Sequence, residues 1–132
     1  FQHWLNTGDK LAAAGATLPR IYTTNWFRKN AAGKFVWPGY GDNMRVLKWM
    51  IDRIEGQAQG TETALGVAPT YEEINWTGIE FSPEQFATVT SIDQAAWQAE
   101  LKLHDDHFDK LAYHMPQALL DTKAALAKRL AG

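Results

Sequence analysis

The sequence predicts a mainly helical α+β fold in which an aromatic β-hairpin is followed by helices, and three features predict it. β-branched and aromatic residues crowd Ile21–Phe27 and Phe35–Trp37. Leu47, Met50, Ile51 and Ile54 recur at i, i+3, i+4 and i+7, the spacing of one helix face. Beyond position 69, Thr70 with Glu73, Ser82 with Gln85 and Ser91 with Gln94 each have the spacing of a capping box.

Taken in order, Phe1–Leu5 reads as the end of a helix, which Asn6-Thr7-Gly8-Asp9 then breaks. Alanine-rich Lys10–Thr17 reads as a short helix closed by Gly15 and Pro19. Ile21–Phe27 and Phe35–Trp37 form the two strands, joined by the polar loop Arg28–Lys34 and stopped by Pro38-Gly39-Tyr40-Gly41. Asn43–Glu55 is a helix capped by Asp42 or Asn43 and ended by Gly56. Gln57–Thr63 reads as a surface loop and Leu65–Pro69 as a short extended segment. The remainder reads as helical, with Pro83 at a first-turn position where its missing N–H costs nothing. A helix from Ile92 to about Tyr113 carries Trp97, Leu101, His104, Phe108 and Leu111 on one face. A last helix from Pro116 buries Leu119, Leu126 and Leu130. The expected organisation is therefore 1–20 helix end and linker, 21–56 hairpin and helix, and 57–132 helical tail.

Composition excludes several function classes. With 132 residues, 45% of them hydrophobic, the chain can build the modest core of one domain. A net charge of -2 with no long basic run speaks against a nucleic-acid or polyanion binder. Without cysteine there are neither disulfides nor thiolate metal sites, which fits a reducing, cytoplasmic setting. No apolar run approaches a membrane span and no signal peptide opens the chain. A start at Phe1 rather than Met is the mark expected of a processed or excised fragment.

Aromatic placement is uneven. Trp26 and Trp37 share a short stretch with Tyr22, Phe27, Phe35 and Tyr40. Aromatic faces on neighbouring strands and a turn can hold a flat heterocycle, stacking contributing about 1–3 kcal/mol per base. Stacking does not separate guanine from adenine; that takes donors for O6 and an acceptor for N1–H and the 2-amino group. Asn43, at a helix start, offers a carbonyl oxygen and an amide beside free backbone N–H groups, and Gly39 and Gly41 let the backbone approach. The plainer reading of such a cluster is a hairpin packed on its own core.

Asn25-Trp26-Phe27-Arg28-Lys29, then Phe35-Val36-Trp37-Pro38-Gly39-Tyr40-Gly41-Asp42-Asn43 and Arg45-Val46-Leu47-Lys48-Trp49-Met50, resemble the GTP-dependent phosphoenolpyruvate carboxykinases. That family carries N-W-F-R-K, a short loop, F-L-W-P-G-F-G-E-N and S-R-V-L-E-W-M. His3-Trp4-Leu5, Arg53-Ile54-Glu55-Gly56 and Thr63-Ala64-Leu65-Gly66 extend the likeness, Ala64 replacing the usual Pro. The resemblance covers nearly the whole chain and implies a C-terminal part of the larger carboxykinase catalytic domain, a nucleotide-binding one. It implies that the guanine of GTP or GDP lies between Phe27 and Tyr40, with Phe35 completing the pocket, Trp26 beside it and Asn43 reading the base edge. Tyr40 for Phe, Asp42 for Glu and Met44 for Ser depart from the family pattern.

The family converts oxaloacetate and GTP to phosphoenolpyruvate, CO2 and GDP, a lyase reaction of gluconeogenesis. No GxxxxGK[ST] loop occurs in this chain. The resemblance places the family's manganese ligands, reactive Cys, substrate arginines and lid before the position corresponding to Phe1. No catalytic residue and no ligand for Mn2+ or Mg2+ is therefore expected here, and the fragment alone is expected to be inert. Its expected partners are a guanine nucleotide and the remainder of a monomeric carboxykinase. His104-Asp105-Asp106-His107 has metal-ligand types but sits on an apolar stripe, which reads as a packed helix face. Arg28, Lys29 and Lys34 read equally as a solvated loop or as facing phosphates or the lid. Two other functions remain open: a free-standing guanine-nucleotide module and a helical interaction module whose aromatics are only core.

Overall fold

The computed structural model describes residues 1–131. Just over half of the chain is helical, and the mainly helical α+β class holds. The chain divides into two compact units, Phe1–Arg20 with Ile92–Gly132, and Ile21–Ser91.

In the first unit, α1 (Gln2–Ala13) runs unbroken through Gly8, where the sequence predicts a break. Asn6 and Thr7 are satisfied inside the helix instead: Gln2 Nε2 donates to Asn6 Oδ1 at 2.7 Å and Thr7 Oγ1 donates to the His3 carbonyl at 2.8 Å. One interior glycine costs only about 0.5–1 kcal/mol, which the flanking helix formers offset. The unit's longest helix, α4 (Gln94–Leu111), starts from Asp93, whose carboxylate accepts the Ala96 N–H at 3.0 Å. Asp93, and not Ser91, is thus the cap. A 3-10 turn at Ala112–His114 and Pro116 lead into α5 (Gln117–Leu130). Leu101 and Leu130 are buried, and Trp97, His104, Phe108, Leu111, Leu119 and Leu126 partly so, as the periodicity requires.

In the second unit the aromatic hairpin is much shorter than predicted. Ile21–Phe27 forms no strand. One antiparallel bridge joins Lys29 to Phe35, beside a 2.9 Å bond from the Val36 N–H to the Arg28 carbonyl. Two Asn side chains explain the shortening. Asn25 Oδ1 accepts the Phe27 N–H at 3.1 Å, and Asn30 Oδ1 accepts from Ala32 and Lys34 at 3.0 and 3.1 Å. Such local bonds compete with a ladder.

The regular ladder lies elsewhere. β1 (Thr61–Thr63) and β2 (Gly66–Ala68) pair antiparallel, Glu62 opposite Val67, across the residues read as loop and extended segment. Thr63 Oγ1 donates to the Gly66 carbonyl at 2.7 Å and tightens the turn. A 3-10 turn (Tyr40–Asp42) leads into α2 (Asn43–Ile54), and α3 (Pro83–Thr90) begins with the predicted Ser82–Gln85 capping box.

Residues 70–81, read as helical, are irregular. The Thr70–Glu73 spacing serves another purpose there. Glu73 Oε1 accepts the N–H groups of Gln59 and Gly60 at 2.9 and 2.8 Å, while Oε2 accepts those of Thr70 at 2.9 Å and the Trp49 indole at 3.3 Å. Gly60 is obligatory beside it. At φ 68 its hypothetical Cβ would lie 2.7 Å from the Ala68 carbonyl oxygen and 3.0 Å from Trp49.

Trp37, Trp49, Ile74 and Phe81 are the buried core of this unit. Rings extend it: Trp76 stacks on Phe81 at 4.8 Å and on Tyr71 at 5.4 Å, and Trp37 meets Trp26, Phe81 and Trp76 at 5.5, 6.0 and 6.3 Å. The predicted stripe on α2 is different. Trp49 is its one buried residue, while Leu47, Ile51 and Ile54 are exposed. The helix therefore rests on its Trp49 side.

Candidate functional site

The predicted site residues fall in two adjoining groups. Trp26 and Trp37 turn inward, Trp37 being only 7% exposed, and the neighbouring Phe27 and Phe35 turn outward at 74% and 59%. The split falls at a turn, Trp26–Phe27, and at the bend Val36–Trp37, which turns Trp37 away from the side that Phe35 faces. Phe27 and Phe35 meet edge to face at 6.1 Å and 64°. The Lys29 ammonium lies 5.2 Å from the centre of the Phe35 ring.

Tyr40 is 92% exposed, with no aromatic ring against it among the described residues. Gly39, at φ 149, makes the entry into the turn that carries Tyr40. That backbone is open to glycine and strained for other residues. The turn then uses two donors: the Asp42 N–H bonds the Gly39 carbonyl at 3.1 Å, and the Asn43 N–H bonds the Tyr40 carbonyl. The helix start is thus less free in backbone donors than the sequence implies.

Asn43 joins the two groups. Its Oδ1 accepts the Trp37 indole N–H at 2.8 Å, so the carbonyl end of the amide is turned to Trp37 and the nitrogen end away from it. The sequence shows Trp37 as one aromatic among several; the Trp-Pro-Gly-x-Gly-x-Asn spacing is the signal that marks it as the partner of Asn43. Asp42 is also committed locally, its carboxylate accepting from Arg45 Nε at 2.8 Å. Arg45 reaches on to the carbonyls of Asn75 and Thr77.

Of the three cations read as loop or phosphate ligands, Arg28 is engaged within its own unit. Its guanidinium donates to the Val89 carbonyl at 3.1 Å, to Ser91 Oγ at 2.7 Å and to the Ser91 carbonyl. Lys29 lies over Phe35, and Lys34 is exposed.

An open concavity of about 560 Å³ is lined by Tyr71, Trp76, Phe81 and Ser82, and by none of Phe27, Phe35, Tyr40 or Asn43. Its aromatic faces are already stacked on one another, and the Tyr71 hydroxyl is spent on the Phe81 carbonyl at 2.7 Å. It offers a ring little. At the metal candidate, His104 Nε2 lies 3.6 Å from Glu100 while His107 is exposed. Among the described residues no three His, Asp or Glu side chains converge as a metal site would need.

Comparison with known proteins gives these positions a context. The family described as "Phosphoenolpyruvate carboxykinase C-terminal P-loop domain" matches residues 1–129. The phosphoenolpyruvate carboxykinase [GTP] of Anaeromyxobacter dehalogenans (strain 2CP-1) is 42% identical over 129 residues, 98% of this chain and 21% of that protein. The one from Treponema pallidum (strain Nichols) is 40% identical over 133 residues, 100% of this chain and 21% of its own. That of Paenarthrobacter aurescens (strain TC1) is 41% identical over 128 residues, 97% and 21%. The chain thus spans about a fifth of the length of the curated relatives it matches. Residues 1–129 being matched, the chain belongs to the GTP-dependent phosphoenolpyruvate carboxykinase family, as a segment of its C-terminal domain.

Proposed function

We propose that residues 21–56 form the guanine-binding wall of a GTP-dependent phosphoenolpyruvate carboxykinase. Phe27, Phe35 and Tyr40 offer stacking faces to the base of GTP or GDP, Asn43 reads its edge, and Trp26 supports the wall from behind. The observation that carries this reading is the exposure of Phe27, Phe35 and Tyr40 next to a core that already holds Trp37. Three large rings beside an oriented amide can cover the faces and meet the edge of a flat ligand. Family membership names that ligand class, a guanine nucleotide.

The reaction of the complete enzyme is oxaloacetate plus GTP to phosphoenolpyruvate, CO2 and GDP, in gluconeogenesis and in the cytoplasm. This chain contributes binding of the base, and phosphoryl transfer belongs to the remainder of a monomeric carboxykinase. The acidic and histidine side chains described above do not form a divalent-metal site. By resemblance to the family, Mn2+ and Mg2+ are assigned in this reading to residues outside this chain. The segment alone is inert in this reading.

The test is competition between GTP and ATP in the complete enzyme with Phe27→Ala, Tyr40→Ala and Asn43→Ala. Loss of GTP affinity in the aromatic variants, and loss of guanine preference in Asn43→Ala, are expected. Wild-type affinity and preference in all three would leave these rings as surface residues of a helical module.

A further inference from the structure

We propose that Trp37 is a positioning residue for base selection: by donating to Oδ1 of Asn43, its indole N–H fixes the orientation of that amide and turns its NH2 end toward the base. This rests on the guanine-wall reading above and assigns its discrimination to a residue that does not touch the base. An Asn side chain has two ends of opposite character, and free rotation about its last bond would let it welcome either a 6-oxo or a 6-amino purine. The indole N–H is a donor with no acceptor capacity, so it accepts only one of those two orientations. Reversing the amide would set the NH2 group against the Nε1–H, donor against donor.

The lock is rigid because the indole is. Trp37 is 7% exposed and held by Trp26, Trp76 and Phe81. The Asn43 backbone N–H is spent on the Tyr40 carbonyl, and its Nδ2 has no protein acceptor among the described residues. Nor is Nδ2 among the buried side-chain atoms lacking a partner. What Asn43 presents outward is therefore a bare pair of amide hydrogens. Guanine O6 accepts from them; the 6-amino group of adenine does not. Phe27, Phe35 and Tyr40 stack on either purine without preference, so the choice falls to the locked amide.

The experiment uses the complete enzyme and compares kcat and KM for GTP, ATP and 2,6-diaminopurine riboside triphosphate, which differs from guanine by carrying a 6-amino group. The variants are Trp37→Phe, Trp37→benzothienylalanine, Trp76→Phe and Asn43→Ala. Benzothienylalanine keeps the bicyclic shape and puts sulfur in place of N–H, so it decides the matter if Trp37→Phe does not fold. With the donor gone the amide can reverse, and the preference for GTP over both 6-amino nucleotides should fall about tenfold, with kcat for GTP little changed. Trp76→Phe loosens the same ring cluster without touching Asn43 and should keep the preference. Retained preference in the Trp37 variants, alongside its loss in Asn43→Ala, overturns the lock and spares the guanine wall. An equal loss in Trp76→Phe also overturns it, as general loosening. Retained preference in Asn43→Ala overturns both.

Discussion

The guanidinium of Arg28 closes the C-terminal end of α3, donating to Ser91 Oγ at 2.7 Å and to the Val89 carbonyl at 3.1 Å. The last carbonyls of a helix have no partner of their own, and a planar fork meets two of them and a hydroxyl at once. Arg28→Ala should lower the stability of this unit by about 1.5–3 kcal/mol, and Arg28→Lys should recover little of it. Denaturant midpoints check this. Because the guanidinium is held at this helix end, the salt dependence of GTP binding should stay that of the wild type in Arg28→Lys, which keeps the charge.

Phe27 and Phe35 separate binding from folding. Both are largely exposed, so Phe27→Ala and Phe35→Ala should move the unfolding free energy by only about 0.5 kcal/mol. If they stack on the base, each should raise the GTP dissociation constant by about 5- to 100-fold. Asn43→Ala should instead reduce the GTP-over-ATP ratio more than Phe35→Ala does. Calorimetric titration beside thermal melts reads both quantities.

The carboxylate of Glu73 makes folding sensitive to acid. Burial alone would raise its pKa, but the N–H groups of Gly60, Thr70 and Gln59 and the Trp49 indole together hold it below the ordinary value of 4.5. A depressed folded pKa stabilises the fold at pH values above the unfolded pKa, and that contribution disappears as pH falls through the folded value. Glu73→Gln should therefore lower stability at neutral pH and flatten its decline below about pH 4.5. Denaturant midpoints across that acid range give the comparison.

Two glycines should fail in different ways. Gly60→Ala puts a methyl 2.7 Å from the Ala68 carbonyl oxygen at φ 68, so both backbone strain and a clash oppose it. A loss of at least about 2 kcal/mol is expected. Gly39→Ala meets open space, and only φ 149 opposes it. Its cost should be about 1–3 kcal/mol, relieved by shifting the turn that carries Tyr40 and leads to Asn43. A raised KM for GTP with modest loss of melting temperature is the expected pattern.

Much of this architecture can be read in the residues, and the failures have local causes. The faces of α4 and α5 are legible because Trp97, Leu101, Phe108 and Leu111 keep one period along α4, and Leu119, Leu126 and Leu130 another along α5. Ser82 and Gln85 mark a true helix start, since Pro83 agrees with them. Glu73 has the same spacing after Thr70, yet its oxygens are drawn to Gln59, Gly60 and Trp49, partners that no local window contains. A still longer separation of 63 residues hides Arg28 from Ser91. The strands at Thr61–Thr63 and Gly66–Ala68, three residues each, are too short to show a period of two. At the candidate site, Phe27, Phe35, Tyr40 and Asn43 are named by family likeness. Which of the rings face water, and which end of the Asn43 amide is free, depends on Trp37 being buried.

The ring cluster around Trp37 also has an optical consequence. Trp26, Trp37 and Trp76 follow one another at 5.5 and 6.3 Å, near enough for their electronic transitions to mix. Their circular dichroism should appear as a paired positive and negative band of exciton origin instead of a sum of separate chromophores. Light absorbed by one indole should migrate among the three before emission. Replacing Trp76 by Phe would then alter the signal of Trp37 as well as deleting its own. The segment thus carries an intrinsic reporter whose sign and amplitude record the mutual tilt of three indoles.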